Sequence, residues 1–265
     1  VCLGRATKVC DLLTDKDKTY EAVLLLGRST DTQDISGQIL EERSVSGITA
    51  GKAEACIRGF VGEYDQIPPM YSALKVGGRK LCDLAREGKV VERKSRRVKI
   101  HEIRISEIRI PRIRMTVDCS KGTYIRTLCH DIGEKLGTGG CMESLLRTRV
   151  GRFSISSSLR LDQVEKAVQE GRLGELLIPL DEVFAEQEAL TVKAGAAALA
   201  YNGNPLSFGA VTRENRSGGA LSPDQRYRVY DREGRFIGIY RCDAQRRELR
   251  LEKMFLDPES LHRQG

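Results

Sequence analysis

From residue 97 to residue 119 apolar side chains alternate in short runs: Val98 and Ile100, Ile103 and Ile105, Ile108 and Ile110, then Ile113, Met115, Val117 and Cys119. A period of two puts such residues on one face of an extended chain, and Pro111 interrupts the run near its middle. The pattern predicts two or three antiparallel strands with one buried face. The run closes at Cys119-Ser120-Lys121-Gly122-Thr123-Tyr124-Ile125-Arg126-Thr127, after which a helical pattern over 126–136 takes over and stops at Gly137. If the strand continues through this junction, Tyr124 and Arg126 share a face, and an aromatic ring beside a planar cation suits a base and a phosphate or carboxylate. A strand-turn-helix corner with a solvated arginine accounts for the same residues equally well.

Other elements are readable in the same way. Residues 19–26 (TYEAVLLL) are almost continuously apolar after Glu21, as in a strand buried on both faces. The polar stretch 31–37 reads as a loop. Thr49 can cap a helix reaching about Gly59, with Ala53, Cys56, Ile57 and Phe60 at helical spacing. Ile67-Pro68-Pro69-Met70-Tyr71 can be neither regular helix nor central strand, because its prolines remove donors and force extension. Short helices are expected over 79–87, ended by Gly88, and over 161–170, ended by Gly171. Beyond about residue 187 the texture changes to short strands and turns, at Asn202-Gly203-Asn204-Pro205, Ser217-Gly218-Gly219 and Arg232-Glu233-Gly234-Arg235; residues 227–230 and 236–240 flank the last as a hairpin.

Composition narrows the partner class. Lys+Arg number 44 against 37 Asp+Glu, a net charge of +7, which favours a polyanion without proving one. Residues 188–265 carry 13 Lys+Arg and 10 Asp+Glu, so the shorter C-terminal part is denser in positive charge. None of the eight cysteines forms Cys-x-x-Cys and the three histidines are scattered, so no zinc site is expected. Cys56 and Cys82 fall on apolar helical positions, where buried thiols are expected. Scattered unpaired thiols suit a reducing cytoplasm, and no apolar run approaches the roughly 20 residues of a membrane span. Val1-Cys2-Leu3-Gly4-Arg5 reads like the middle of an element, so a fragment lacking its N-terminus is expected, with a processed mature form as the alternative.

Three constellations could carry chemistry. Residues 89–99 hold Lys89, Arg93, Lys94, Arg96, Arg97 and Lys99 with only Glu92 opposing them; such a cluster can track a nucleic-acid backbone, or merely guard a hairpin edge. The rigid segment 67–75 offers Tyr71 as a stacking face and Lys75 as a phosphate ligand. Tyr20 stands at the mouth of the first strand, where a tyrosine is more often core than catalytic.

These pieces, with Leu3-Gly4-Arg5-Ala6-Thr7-Lys8, Asp17-Lys18-Thr19-Tyr20-Glu21, Leu26-Gly27, Thr30-Asp31-Thr32, Asp34 and Gly37, occur in one order. The chain resembles the TruB-type tRNA pseudouridine synthases, which isomerise the uridine at position 55 in the TΨC loop. The resemblance is distinctive to about residue 155 and looser beyond it, where the tail looks like a PUA RNA-binding domain. It implies an α+β catalytic domain with a mixed sheet over 1–187, lacking its start, a β-rich PUA-like domain over 188–257, and a tail over 258–265. It implies catalytic roles for Tyr20, which stacks on the flipped uracil, and Arg126, which pairs with the catalytic aspartate. It places Tyr124 in the same pocket and Leu146 against the target base. It makes the basic segment around 75–99 an insertion that closes on the RNA. The implied partner is the TΨC arm of tRNA, bound by a monomer without metal or cofactor.

One departure outweighs these matches. The family's aspartate sits in a Gly-x-Leu-Asp-Pro motif ahead of the Leu-Gly-Arg-Ala-Thr-Lys segment, and no such motif occurs in these 265 residues. Leu256-Asp257-Pro258 lacks the context, and Asp31 and Asp34 belong to another family motif. The chain as given is therefore expected to bind RNA and to be inactive. The rival reading is a non-catalytic protein that uses this fold to hold or remodel tRNA. A guide-RNA-dependent synthase of the same superfamily is a second rival, for which the tail offers no suitable extension.

Overall fold

A computed structural model describes residues 1–213 and 220–256. The expected turn at Ser217-Gly218-Gly219, the Asp257-Pro258 pair and the tail over 258–265 lie outside the described residues. The chain divides into two compact units, Leu12–Leu159, and Val1–Asp11 with Arg160–Gly265.

The first unit follows a short helix, α1 (Cys10–Thr14). In chain order it holds β1 (Lys18–Leu26), β2 (Arg28–Thr30), β3 (Ile39–Glu42), α2 (Ala50–Arg58), β4 (Gly62–Gln66), β5 (Lys75–Val76), β6 (Arg79–Lys80), α3 (Leu81–Arg86), β7 (Arg96–Arg109), β8 (Arg112–Cys119), α4 (Ile125–Leu136), β9 (Gly140–Val150) and β10 (Phe153–Ser154). One sheet runs in the order β10-β9-β1-β8-β7-β4. Every pairing in it is antiparallel, so the expected mixture of strand directions is not found there. The alternating run 97–119 is the β7–β8 hairpin, two strands and not three.

The period of two sends Ala22, Leu24 and Leu26 of β1, Ile113, Met115 and Val117 of β8, and Ile100 and Ile103 of β7 to one face. Leu128, Cys129 and Ile132 of α4 and Ala53 and Ile57 of α2 close the core over that face. Thr49 caps α2 as expected, its hydroxyl accepting from Lys52 N–H at 3.2 Å. Gly137, at φ 77°, ends α4 in the left-handed turn that glycine adopts without a Cβ clash. Packing is tightest where α4 crosses β9. A Cβ on Gly133 would sit 2.2 Å from the Gly140 backbone nitrogen, so this crossing excludes any larger residue. Cys56 and Cys82 are only half-buried, because α2 and α3 turn those positions toward their margins.

A satellite cluster of Met70, Leu81 and Leu84, flanked by Tyr71, Leu74 and Val91, organises the segment around β5, β6 and α3. Arg93 ties the end of that segment to its beginning by donating from Nη1 to the Pro68 carbonyl at 3.1 Å.

The second unit has its own core and sheet. Strands β11 (Glu188–Val192), β12 (Leu206–Ser207), β13 (Val211–Arg213), β14 (Arg226–Tyr230), β15 (Phe236–Asp243) and β16 (Glu248–Met254) lie in the order β12-β16-β15-β14-β11-β13. The hairpin expected around Arg232-Glu233-Gly234-Arg235 is β14–β15, and the parallel ladder joins β11 to β14. The division falls at 159/160 and not at 187. Phe184 packs against Phe236 and Phe255, and Tyr230 donates its hydroxyl to Asp181 at 3.0 Å, so residues ahead of β11 belong to this unit. The chain start joins it too: Arg5 and Lys8 donate to the carbonyls of Phe255 and Met254 at 3.3 and 3.2 Å.

Candidate active site

The junction at 119–127 resolves as the corner and not as a continued strand. Tyr124 is the N-cap residue of α4, with extended backbone angles and no side-chain cap, and Arg126 lies in the first helical turn. The two side chains therefore do not alternate along one strand face.

What holds this turn comes from distant parts of the sequence. The Gln66 side chain is 1% exposed and reads both polar groups of the Tyr124 backbone. Its Oε1 accepts from Tyr124 N–H at 2.8 Å, and its Nε2 donates to the Tyr124 carbonyl at 3.0 Å and to the Tyr64 hydroxyl. From the other side comes the loop between β2 and β3. Thr127 donates its hydroxyl to Gln33 Oε1 at 2.7 Å, and Arg126 Nη1 donates to the Thr32 carbonyl at 3.4 Å and lies 3.0 Å from Asp34 Oδ2.

That loop is rigid for physical reasons. Ile35 N–H and the Gln33 carbonyl exchange bonds with the Met142 backbone at 2.9 and 3.0 Å, which stitches the loop to β9. Asp31 Oδ1 accepts from Gln38 N–H at 2.8 Å and closes it. A Cβ on Gly37 would fall 2.2 Å from Thr32 Oγ1, so only glycine fits. Gln33 has φ 62°, a conformation costing about 1 kcal/mol in a non-glycine residue, held by bonds to both its carbonyl and its side chain.

Asp34 is fully engaged. Its Oδ1 accepts from Ser36 N–H at 3.0 Å, Ser36 Oγ at 2.5 Å and Thr32 Oγ1 at 3.1 Å, while Oδ2 faces Arg126. Burial alone would raise its pKa, but Ser36, Arg126 and Thr32 together outweigh burial and hold it below the ordinary carboxylate value. A carboxylate so occupied orients an arginine; it has little freedom to attack. Arg126 keeps Nε and Nη2 without a partner among the described residues, so one edge of the guanidinium remains open. Asp34 is the carboxylate paired with Arg126 among the described residues.

Tyr20 lies on the α4 side of the sheet, half-buried against the core that contains Ala22 and Leu24. It stands opposite Arg147 across the β1–β9 ladder. Burial, foremost, pushes the Tyr20 hydroxyl pKa up, and Arg147 partly opposes this. Tyr20 and α4, the helix that carries Arg126, thus share one face of the sheet. Leu146 does not share it. It stands opposite Glu21, whereas Leu145 stands opposite Ala22, so the register assigns the Tyr20 face to Leu145, which is 43% exposed. Leu146, the leucine expected against the base, is thus on the other face of β9 from Arg147 and Leu145.

The basic cluster is only partly available. Arg97 is paired with Asp65 at 3.1 Å and Glu63 at 3.6 Å, across the β4–β7 ladder, and Lys89 with Glu87 at 3.0 Å. Glu92 is therefore not the sole opposing charge. Arg93 is used in its bond to Pro68. Lys94, Arg96 and Lys99 are exposed and make no ion pair among the described residues. Lys75, Arg93, Lys94 and Arg96 line one cavity of about 290 Å³ together with Pro68 and Leu81. Tyr71 instead packs on the satellite cluster. Among the described residues no group of His, Cys, Asp and Glu could hold a metal ion, and no helix is long and apolar enough to cross a membrane.

Sequence patterns alone missed Gln66, Gln33 and Thr127, which hold the turn that carries Arg126. The signal was faint: a glutamine ending a strand otherwise patterned for exposure.

Comparison with known proteins identifies the family. Residues 1–125 match the N-terminal domain of TruB family pseudouridylate synthases, and residues 126–185 match the C-terminal domain of tRNA pseudouridylate synthase B. The tRNA pseudouridine synthase B of Lachnoclostridium phytofermentans is 48% identical over 264 residues, covering 97% of this chain and 85% of that protein. Its namesake from Clostridium tetani is 38% identical over 239 residues, covering 90% and 79%. These matches run over most of the chain and lend no support to the expectation of a missing start. A solved H/ACA RNP bound to a substrate RNA containing 2'-deoxyuridine superposes with a TM-score of 0.68 at 19% identity, covering 97% of this chain and 71% of that one, which shows a shared fold. With two family domains matched end to end and close relatives along its length, the chain belongs to the TruB family of pseudouridylate synthases.

Proposed function

We propose that this protein isomerises the uridine at position 55 in the TΨC loop of tRNA to pseudouridine, as a single chain and in the cytoplasm. The observation that carries the proposal is Arg126, fixed at the head of α4 with one guanidinium edge engaged by Asp34 and Thr32 and the other open, over the sheet face that holds Tyr20.

The reaction breaks the C1'–N1 glycosidic bond, turns the uracil, joins C5 to C1' and releases the C5 proton while N1 gains one. Substrate and product are isomers, so no redox cofactor is called for. An acidic group must attack C1' or take the 2' proton, and a guanidinium beside it keeps it ionised. The open edge of Arg126 suits that duty. Flipping the uridine out of its stack costs about a few kcal/mol, which a stacking phenol at Tyr20 and an apolar side chain at Leu145 or Leu146 offset. Tyr124 borders this pocket. Lys75, Lys94, Arg96 and Lys99 take phosphates, with Arg93 and Tyr71 shaping the segment that carries them. The second unit acts as a PUA-like RNA-binding module.

The acidic group is the one supplied by the Gly-x-Leu-Asp-Pro motif in the family, and the 265 residues do not contain it. The chain as given therefore binds tRNA without turning it over. A tritium-release assay on C5-labelled tRNA, run with this chain and with a version extended upstream of Val1 by a segment carrying the Gly-x-Leu-Asp-Pro motif, tests both statements. Release by the extended version alone is the expected result. Tight tRNA binding by the extended version without release favours the rival reading, a tRNA-remodelling protein on the same fold, and release by the 265-residue chain refutes its inactivity.

A further inference from the structure

We propose that Gln66 is a positioning residue for Arg126, holding the head of α4 where the reaction needs it. This role rests on Arg126 serving the isomerisation proposed above.

The leading N–H groups of a helix have no intrahelical acceptor, and Tyr124, at the N-cap, offers no side-chain cap. An arginine two residues later inherits whatever freedom that end keeps. Gln66 removes it. A primary amide presents a strong acceptor and strong donors a few ångströms apart. Here the acceptor takes the Tyr124 N–H and the donor takes the Tyr124 carbonyl, which also receives Leu128 N–H at 3.0 Å. The Gln66 amide nitrogen also donates to the Tyr64 hydroxyl. Burying this side chain to 1% exposure without these partners would be costly, and with them the amide has one geometry.

Location gives the clamp a functional meaning. Gln66 closes β4, pairs with Arg96 at the start of β7, and directly precedes Ile67-Pro68-Pro69. Both roots of the basic segment, 66 and 96, therefore meet at this residue, and the same side chain fixes the backbone two residues before Arg126. Gln33 and Asp34 grip the turn from the other side, through Thr127 and Arg126. An arginine displaced by about 1 Å costs a positioned reaction on the order of a hundredfold.

The test uses the chain extended by the segment carrying the Gly-x-Leu-Asp-Pro motif, with Gln66→Met, which keeps the volume and loses every bond, and Gln66→Glu, which keeps the acceptor and, when ionised, loses the donor. Arg126→Ala serves as the comparison. Single-turnover tritium release, tRNA Kd and the thermal midpoint are measured for each. Gln66→Met is expected to slow release about tenfold or more while Kd stays within about twofold. For Gln66→Glu the rate relative to wild type is expected to recover as pH falls from about 8.5 to about 6, because a protonated carboxyl regains the donor to the Tyr124 carbonyl. Wild-type release by Gln66→Met, or equal losses of rate and affinity, overturns the proposal. Should Gln66→Met fail to fold, a pH-independent rate ratio for Gln66→Glu overturns it. Loss of release in Arg126→Ala with none in Gln66→Met sinks this inference alone; normal release by Arg126→Ala sinks the reading of the site beneath it.

Discussion

Asp34 Oδ2 lies 3.0 Å from Arg126 Nη1, joining a loop bound to β9 with the first turn of α4 across about 90 residues of sequence. The pair is partly sheltered, with side-chain exposures of 16% and 29%, so its geometry matters more than a solvated ion pair would. Arg126→Ala in the extended chain that carries the Gly-x-Leu-Asp-Pro motif is expected to lower turnover by about a hundredfold or more while tRNA affinity changes by about threefold at most. Asp34→Asn keeps the shape but loses the charge. It is expected to reduce turnover about tenfold and stability by about 1–2 kcal/mol, read from release kinetics and urea unfolding. Equal losses of rate and affinity in Arg126→Ala would make that residue a phosphate ligand.

The Gly133–Gly140 crossing predicts a sharp contrast between two glycine substitutions. Gly133→Ala forces α4 away from β9 and is expected to cost about 1–3 kcal/mol, with a lower thermal midpoint. Gly51→Ala, in α2 with open space around its Cβ position, is expected to gain about 0.5 kcal/mol by restricting the unfolded chain. Similar midpoints for the two variants would contradict the close approach.

Neutralising Lys94, Arg96 and Lys99 together is expected to weaken tRNA binding and to reduce the slope of log K against log salt by about 0.7–0.9 for each phosphate that no longer meets a cation. Arg97→Ala is expected to change the slope less, because Asp65 and Glu63 already hold that guanidinium. Filter binding between about 50 and 200 mM salt separates the two outcomes. An unchanged slope in the triple variant would return the cluster to a solubilising role.

Asp131 on α4 gives a pH dependence. Burial, and secondarily Glu134, raises its pKa from 3.8 to about 6. The folded protein therefore holds this proton more tightly than the unfolded chain. The stability gained is fully present below about pH 3.8 and is lost as pH rises through about 6. Asp131→Asn removes that loss. Allowing for solvent screening, the variant is expected to be about 1 kcal/mol more stable than the parent at about pH 8, with the difference vanishing near about pH 4. Thermal unfolding at the two pH values checks the sign.

Much of the fold was legible in local pattern. The buried strand at 18–26, the capped helix after Thr49, the hairpin of alternating isoleucines and the glycine stops at Gly137 and Gly171 follow from side-chain period and backbone freedom. The site was less so. Tyr124 and Arg126 looked like strand neighbours because the apolar alternation runs up to Cys119, and only the clamp by Gln66, 58 residues away, shows that the helix begins at once. Leu146 came from the family resemblance; that it stands opposite Glu21, leaving the Tyr20 face to Leu145, is set by the β1–β9 register, which no single strand records. The basic run at 89–99 looked unopposed since the acids facing Arg97 lie on β4, paired only when the sheet forms.

β1 is the strand with ladders to β8 on one side and β9 on the other along nearly its whole length. A one-residue slip in either would carry Tyr20, Ala22 and Leu24 to the reverse of the sheet, stripping the core of its centre. The phenol consequently has no route out of place by local fraying. Amide protons from Ala22 to Leu25 should exchange only when the whole unit opens, so losing the aromatic platform and losing the native state are one event.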